Sequence, residues 1–224
     1  IAMTRLKWSL LFVFLLSWII TSQDKEIAVV LKVVGNAEVK TNESDWSPLI
    51  KGRRLASGDY IRTAEGALVS IVFTDDKSML KIRSSSELQI EGEREPDGIT
   101  KRILLTLGEV WSKINPKSQE QDFKMVTPSG VAAVRGTEFY TIVQGTERTT
   151  IVTVEGIVEL FNKAGSVMVP AGKSGTAERE QAPTVTDTKD FETWAENDDT
   201  SQSLDIEFEN ADGTTKHLKL KYQE

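Results

Sequence analysis

Short stretches in which apolar and polar residues alternate recur along most of this chain. Ala37, Val39 and Thr41 alternate with charged residues, and similar short runs follow at intervals. Such alternation is typical of a strand that buries one face. Turn-forming residues separate the runs, and Val, Ile and Thr make up 15 of the 30 residues at 131–160. Because these side chains favour strands, the sequence predicts an all-β domain over residues 27–180.

Three glycines, Gly35, Gly108 and Gly156, each precede a similar short apolar run. Their spacing is irregular, so they do not define a repeat of fixed period. Glycine is favoured where a strand enters a tight turn or passes close to another backbone, because it has no Cβ. The pattern predicts short strands that wind back over one another, in a β-solenoid-like or jelly-roll-like arrangement.

The first 22 residues have the features of an export signal. Arg5 and Lys7 precede an apolar run of 13 residues that ends at Ile20, and this order is typical of a secretory signal peptide. A membrane-spanning helix needs about 20 residues. We therefore predict that residues 1–22 are a cleaved signal peptide and that the protein is periplasmic or secreted. The alternative is an uncleaved inner-membrane anchor, in which residues 6–20 make the only membrane contact.

The composition excludes several kinds of active site. The chain has no cysteine and one histidine, His217, which excludes thiol nucleophiles, disulfides and sites with several histidine ligands. The formal net charge is −7, and removal of the predicted signal peptide with its two basic residues changes it to −9. Binding to a phosphate backbone needs clustered Lys and Arg. We therefore predict no cofactor, no metal site and no nucleic-acid partner.

The last part of the chain, residues 181–224, predicts an acidic linker followed by a β-hairpin. Residues 191–195 are expected to form one short helical turn or part of a loose linker. Two alternating stretches, 204–208 and 218–222, flank the turn-forming sequence Asn-Ala-Asp-Gly. Acids on the first strand are expected to face lysines on the second, in an unspecified register: Asp205, Glu207 and Glu209 with Lys216, Lys219 and Lys221.

Three motifs follow one another in a characteristic order. They are Gly-Asp-x-Ile-x-Thr at 58–63, Thr-Pro at 127–128 and Arg-Gly-Thr-x-Phe at 135–139. With the turns around them, they resemble the FecR domain family of bacterial extracytoplasmic proteins over residues 29–176. The chain departs from the family at Asp76, where a glycine is usual. The matching positions are Gly35, Gly52, Gly58, Asp59, Thr63, Thr127, Pro128, Arg135, Gly136, Thr137, Phe139, Gly156 and Gly172.

The resemblance implies a single FecR-like β domain outside the cytoplasm. The namesake of the family is a sensor regulator that relays occupancy of an outer-membrane iron-siderophore receptor to a cytoplasmic sigma factor. That relay uses a cytoplasmic segment and a transmembrane helix ahead of the domain. Here about seven residues precede the apolar run, so we expect a stand-alone exported protein without anti-sigma activity.

Most residues that could carry chemistry also have a structural interpretation. Arg135 is either an anion clamp or a side chain that bonds to carbonyls of a neighbouring turn, and we favour the second. Asp75 and Asp76 lack the spacing of a calcium loop. We expect the family-motif positions to be structural and predict no catalytic residue. Three tryptophans are expected in the core rather than on a sugar-binding platform: Trp46, Trp111 and Trp194.

These observations predict a non-enzymatic extracytoplasmic FecR-domain protein that binds or scaffolds an envelope component, either a protein or a glycan. A role in envelope signalling is consistent with the family. Two alternatives stay open. One is a carboxylate-dependent hydrolase of cell wall or polysaccharide, which would use two acids about 5–10 Å apart. The other is a membrane-tethered sensor or regulator.

Overall fold

The computed structural model describes residues 26–41, 44–95, 98–116, 123–189 and 191–195, together with the backbone of 203–209 and 215–221. All regular structure within these ranges is β, which confirms the all-β prediction. In these same ranges no helix is long and apolar enough to cross a membrane. The predicted signal peptide, residues 1–22, lies outside the described residues.

The described part of the chain forms nineteen strands. In chain order they are β1 (Glu26–Val34), β2 (Ala37–Thr41), β3 (Ser47–Pro48), β4 (Arg54–Ala56), β5 (Asp59–Thr63), β6 (Leu68–Phe73), β7 (Met79–Ile82), β8 (Glu87–Glu95), β9 (Gly98–Lys113), β10 (Phe123–Val126), β11 (Val131–Val134), β12 (Glu138–Gln144), β13 (Arg148–Glu155), β14 (Ile157–Asn162), β15 (Gly165–Pro170), β16 (Lys173–Glu178), β17 (Thr184–Asp187), β18 (Ser203–Glu209) and β19 (Thr215–Lys221).

Seventeen of these strands form one open, continuous sheet that folds into two layers. Layer A has the order β4-β1-β6-β7-β9-β12-β13-β16-β17. Layer B has the order β3-β2-β5-β8-β9-β10-β11-β14-β15. Strand β9 belongs to both layers: it pairs with β8 up to Leu107 and with β12 from Gly108 onward. Neighbouring strands are antiparallel except β9 and β10, which run parallel.

The core lies between the two layers and draws on the inward-facing residues of both. Ile71 and Leu80 from layer A and Ile61 and Ile103 from layer B are fully buried in one apolar cluster. Burying each such side chain contributes roughly 1.5–3 kcal/mol. The Phe123 ring on layer B packs edge-on against the Phe139 ring on layer A, with centroids 6.2 Å apart. The period-two alternation of the sequence therefore reports which residues face this shared core.

A residue with positive φ marks each point at which the described chain passes from one layer to the other. Nine such crossings lie wholly within described residues, while a tenth, between β9 and β10, includes the undescribed residues 117–122. Ser85, with φ 55°, marks the crossing between β7 and β8. The left-handed conformation costs a residue with a Cβ about 1–2 kcal/mol, which glycine avoids. Glycines therefore mark the other eight: Gly35, Gly52, Gly58, Gly66, Gly108, Gly136, Gly156 and Gly172.

Replacing Ser85 with glycine is expected to raise the free energy of unfolding by about 0.5–1 kcal/mol, because glycine relieves the strain of the left-handed conformation. The Ser85 side chain is exposed, so little packing is lost. Urea unfolding followed by circular dichroism measures the change. Ser84→Gly, one residue earlier and outside the positive-φ set, is the matched control and is expected to lower stability. An equal change in both variants would contradict the assignment of strain to Ser85.

The C-terminal strands β18 and β19 pair with each other as an antiparallel hairpin, as the sequence predicted. The register places Asp205 opposite Lys219, one of the expected pairs of unlike charge. Glu207 stands opposite His217, and Lys216 stands opposite Phe208. Within the preceding stretch predicted as a linker, β17 extends layer A by one strand.

Candidate functional site

Layer A carries apolar residues on its outer face as well as on its core face. Three adjacent strands each contribute one, because Val152 lies opposite Tyr140 on the neighbouring strand and Tyr140 lies opposite Trp111 on the next. These three residues are buried in a cluster separate from the main core. Met79 and Ile142 pack against the same cluster. We call this surface, formed by Met79, Trp111, Tyr140, Ile142 and Val152, the aromatic face.

A short piece of the chain covers the aromatic face. Residues 191–195, which we call the docked segment, place the Phe191 ring 4.8 Å and the Trp194 ring 5.5 Å from the Tyr140 ring, centroid to centroid and edge-on. Ala195 is buried beside them. The helical turn that was one of two expectations for this segment does not form, since 191–195 has no regular secondary structure. Its aromatic side chains hold it against layer A instead.

Polar contacts fix the C-terminal end of the docked segment, at Trp194 and Ala195. Lys81 Nζ donates a hydrogen bond of 2.6 Å to the Ala195 carbonyl oxygen. The Trp194 indole N–H donates to the Glu109 carboxylate, and the other oxygen of that carboxylate accepts from Arg83 Nη1 at 3.0 Å. The Arg83 guanidinium also lies 5.4 Å from the Trp194 ring centroid. One main-chain carbonyl and one indole are therefore recognised by charged side chains of layer A.

The floor of the site is anchored by its own polar contacts. The Trp111 indole N–H donates a 3.1 Å hydrogen bond to Glu138 Oε1, and Lys113 Nζ pairs with Glu138 Oε2 at 2.9 Å. The buried indole N–H of Trp111 thus has a partner within layer A, which keeps this ring in place. The arrangement can hold a short extended peptide with two aromatic side chains, and its chemistry is that of a binding surface.

Several family-motif residues lie at the layer crossings and bond to the backbone there. Thr63 Oγ1 donates to the Arg83 carbonyl at 2.7 Å and accepts from the Ser86 N–H at 2.9 Å. Thr137 Oγ1 donates to the Ile157 carbonyl at 3.2 Å. Asp59, which is buried, accepts the Ala56 N–H at 2.9 Å beside the crossing at Gly58. The two threonines join neighbouring crossings, Thr63 those at Gly66 and Ser85 and Thr137 those at Gly136 and Gly156. The Asp59 contact closes a single crossing.

The remaining motif positions are placed as follows. Thr127 accepts a 2.7 Å hydrogen bond from the Thr149 hydroxyl, which joins the β10–β11 turn next to Pro128 to layer A. Phe139 is part of the core. Arg135 is exposed on the crossing between β11 and β12. The motif residues therefore lie at both ends of the strands and in the core, since Asp59 and Thr63 stand at opposite ends of β5. None of them belongs to the aromatic face.

The expectation that the three tryptophans lie in the core is wrong, since none of them belongs to the main cluster between the layers, and they do not form one platform either. Trp111 and Trp194 meet at the aromatic face, whereas Trp46 lies beside layer B under the Arg62 guanidinium, 4.2 Å from the ring centroid. The aromatic face could have been suspected from the sequence, because Val110–Trp111, Phe139–Tyr140 and Ile151–Val152 place apolar residues on both faces of a strand. Nothing in the local sequence indicated which segment covers it.

Asp75 and Asp76, weighed in the sequence as calcium ligands, lie against a buried lysine. Lys101 Nζ is 3.0 Å from Asp75 Oδ2 and 2.6 Å from Asp76 Oδ2. Sequence reasoning missed Lys101, although it stands between Ile99 and Ile103 in the core-facing phase of β9. Elsewhere in the described ranges, too, no three acidic or histidine side chains converge as a metal site.

The fold defines a two-layer all-β domain with a peptide-sized apolar site on one layer. Residues 59–159 match the sequence model of the family described as FecR protein. The chain is therefore similar to this family over residues 59–159, which confirms the resemblance inferred from its motifs. The match begins at β5 and ends within β14, while strands of both layers lie beyond it on either side.

Comparison with solved structures agrees with this fold. A crystal structure described as a "putative anti-sigma factor" from Parabacteroides distasonis ATCC 8503 superposes with a TM-score of 0.50 at 13% sequence identity. The similarity covers 58% of this chain and 60% of that protein. A second crystal structure with the same description gives a TM-score of 0.47 with the same identity and coverage. No functionally curated protein matches the sequence.

Proposed function

We propose that this protein is a non-enzymatic FecR-domain binding module of the cell envelope, which takes part in envelope signalling by holding a peptide segment of a partner protein on its aromatic face. The observation that supports this is the docked segment itself. It occupies an apolar surface outside the main core through two aromatic rings, one indole N–H and one main-chain carbonyl. A partner segment with the same groups would use the same contacts.

The contact energies of the docked segment are small enough for a partner peptide to replace it on the aromatic face. Each aromatic pair contributes about 0.5–1.5 kcal/mol beyond the area that it buries, and the docked segment makes two such pairs with Tyr140. A tethered segment acts at an effective concentration of about 1 mM or less. A partner peptide would displace the docked segment when its concentration divided by its Kd exceeds the effective concentration divided by the Kd of the docked segment. The aromatic face would then report the presence of the partner.

The envelope location and the regulatory role rest on separate support. The predicted signal peptide supports export. The FecR-like domain supports an association with the envelope. The structural similarity to a "putative anti-sigma factor" supports a role in regulation, although that similarity by itself concerns the fold. The partner is proposed to be a protein and not a glycan, because the groups bound at the aromatic face are those of a peptide.

The proposal is tested by giving the aromatic face a peptide in trans. The probe is a fluorescently labelled peptide with the sequence of residues 186–200, and fluorescence anisotropy measures its Kd. We expect the full-length variant Phe191→Ala/Trp194→Ala to bind the probe about tenfold more tightly than the unmodified protein, because the competing docked segment is weakened.

Two controls define the specificity of this binding. A probe in which the tryptophan is replaced by alanine is expected to bind at least tenfold more weakly. Met168→Ala, which removes a side chain that is 62% exposed on layer B, is expected to leave the Kd unchanged. Equal affinity of the double variant and the unmodified protein for the probe would contradict the proposed binding surface.

A further inference from the structure

The β6–β7 turn and strand β9 are joined by a cluster of three buried ionisable side chains. The Lys101 side chain is 1% exposed, and those of Asp75 and Asp76 are 5% and 4% exposed. Lys101 Nζ lies 2.6 Å from Asp76 Oδ2 and 3.0 Å from Asp75 Oδ2. One amine therefore faces two carboxylates in a site from which water is excluded.

The surroundings hold all three groups in fixed positions. Asp76 Oδ1 accepts the Ser78 N–H at 2.8 Å, and Asp75 Oδ2 accepts the Ile99 N–H at 2.9 Å. Lys101 Nζ also donates to the Ile99 carbonyl oxygen at 3.2 Å. The Phe73 ring lies beneath the amine, 5.2 Å from Nζ to the ring centroid. An amine held against one carboxyl group, with a second carboxylate in reach, is the arrangement that amide formation between side chains requires.

We propose that Lys101 and Asp76 form an intramolecular isopeptide bond, with Asp75 as the proton shuttle. In the buried pair a proton passes from the Lys101 ammonium to the Asp76 carboxylate, which leaves a neutral amine and a carboxylic acid. The Nζ lone pair attacks Asp76 Cγ and forms the C–N bond. Asp75 takes a proton from the nitrogen and delivers it to the departing hydroxyl. One C–O bond breaks and one water molecule leaves, so ammonium and carboxylate become a neutral amide and Asp75 returns to its starting form.

Two physical effects favour this reaction inside the fold. Burial keeps bulk water away from the reacting groups, whose side chains are only 1%, 5% and 4% exposed. Fixed reacting groups behave as if present at an effective molarity of up to about 10⁵–10⁸ M, which offsets the cost of forming an amide with loss of water. No oxidant, metal or cofactor is needed.

The test is a peptide map of the purified full-length protein. Trypsin would release residues 63–77 and 95–102 as one branched peptide, lighter than the sum of its two arms by one water molecule. Fragment ions are expected to place the branch on Asp76. Recovery of the two arms as separate linear peptides, with cleavage after Lys101, would overturn the proposal.

Variants separate the roles of the three residues. Asp75→Asn keeps the amine and the acceptor but removes the shuttle, and its branched peptide is expected to fall at least tenfold. Glu91→Gln, which breaks an exposed ion pair with Arg102 between β8 and β9, is the matched control and should retain the branched peptide in full. Undiminished branching in Asp75→Asn would overturn the assignment of Asp75. The map of the unmodified protein decides the bond itself, whether or not a variant folds.

Discussion

Gly108→Ala is expected to lower the free energy of unfolding by about 2–5 kcal/mol, the sum of steric overlap and left-handed strain. Gly108 has φ 100° and lies where β9 passes from layer B to layer A. A Cβ at this position would stand 2.1 Å from Ser86 Oγ and 2.5 Å from Ser86 Cα. The Cα cannot rotate away as the end of a flexible side chain could, so two crossings would have to separate. Urea unfolding followed by tryptophan fluorescence measures the loss.

Gly66→Ala is the matched control for this prediction. Gly66 has a comparable positive φ of 73°, but a Cβ there would meet nothing within 4 Å. Its expected cost is therefore the conformational strain alone, about 1–2 kcal/mol. If Gly108→Ala lowered the free energy of unfolding no more than Gly66→Ala does, the steric overlap with Ser86 would make no contribution to stability, and the prediction would be wrong.

Lys101→Met is expected to destabilise the protein by about 3–5 kcal/mol, because it leaves two buried carboxylates that the Lys101 side chain otherwise compensates. Lys101 does so as an ammonium before the proposed bond forms and as the amide partner of Asp76 after it. Methionine has a similar length and fits an apolar site, so lost packing contributes little. Asp75 would keep its hydrogen bond from the Ile99 N–H, and Asp76 would keep that from the Ser78 N–H. These contacts do not replace an ammonium group. The midpoint of urea denaturation measures the change.

The double variant Lys101→Met/Asp76→Ala tests whether unbalanced charge is the cause. Removing one of the two remaining carboxylates is expected to recover at least about 1 kcal/mol relative to Lys101→Met alone, although each single substitution destabilises the protein. Additive losses in the double variant would mean that Lys101 and Asp76 act independently. In that case packing and not electrostatics would account for the effect of Lys101→Met.

The sequence predicted those parts of the fold that depend on local pattern. Alternation of apolar and polar residues, as in 37–41, predicts a strand with one face in the core, and such a strand is found there. A turn between two alternating runs predicts the C-terminal hairpin, which is also found. The glycines at 35, 108 and 156 indicated strands that fold back over one another. Each of them marks a passage between the layers, because a left-handed reversal restricts the residue type at a single position.

The parts that could not be predicted depend on contacts between residues far apart in the sequence. Tyr140 meets Phe191 and Trp194 about fifty residues later, and no local pattern specifies that partner. Lys101 was overlooked for a related reason. A single lysine among inward-facing apolar residues cannot be recognised as buried from the sequence, because the two acids that it contacts lie elsewhere in the chain. The cluster depends on three residues from two elements, the β6–β7 turn and β9, and these elements lie apart in the sequence.

Strand β9 forms backbone hydrogen bonds with strands of both layers. Its first ten residues pair within layer B and its last six within layer A. Neither layer can peel away while the other stays intact, because separation would have to rupture the ladder on one half of this strand. The two layers are therefore coupled into one cooperative unit, and a force applied along β9 would load both at once. A partner bound on the outer face of one layer would in this way also stabilise the opposite layer, which it does not contact.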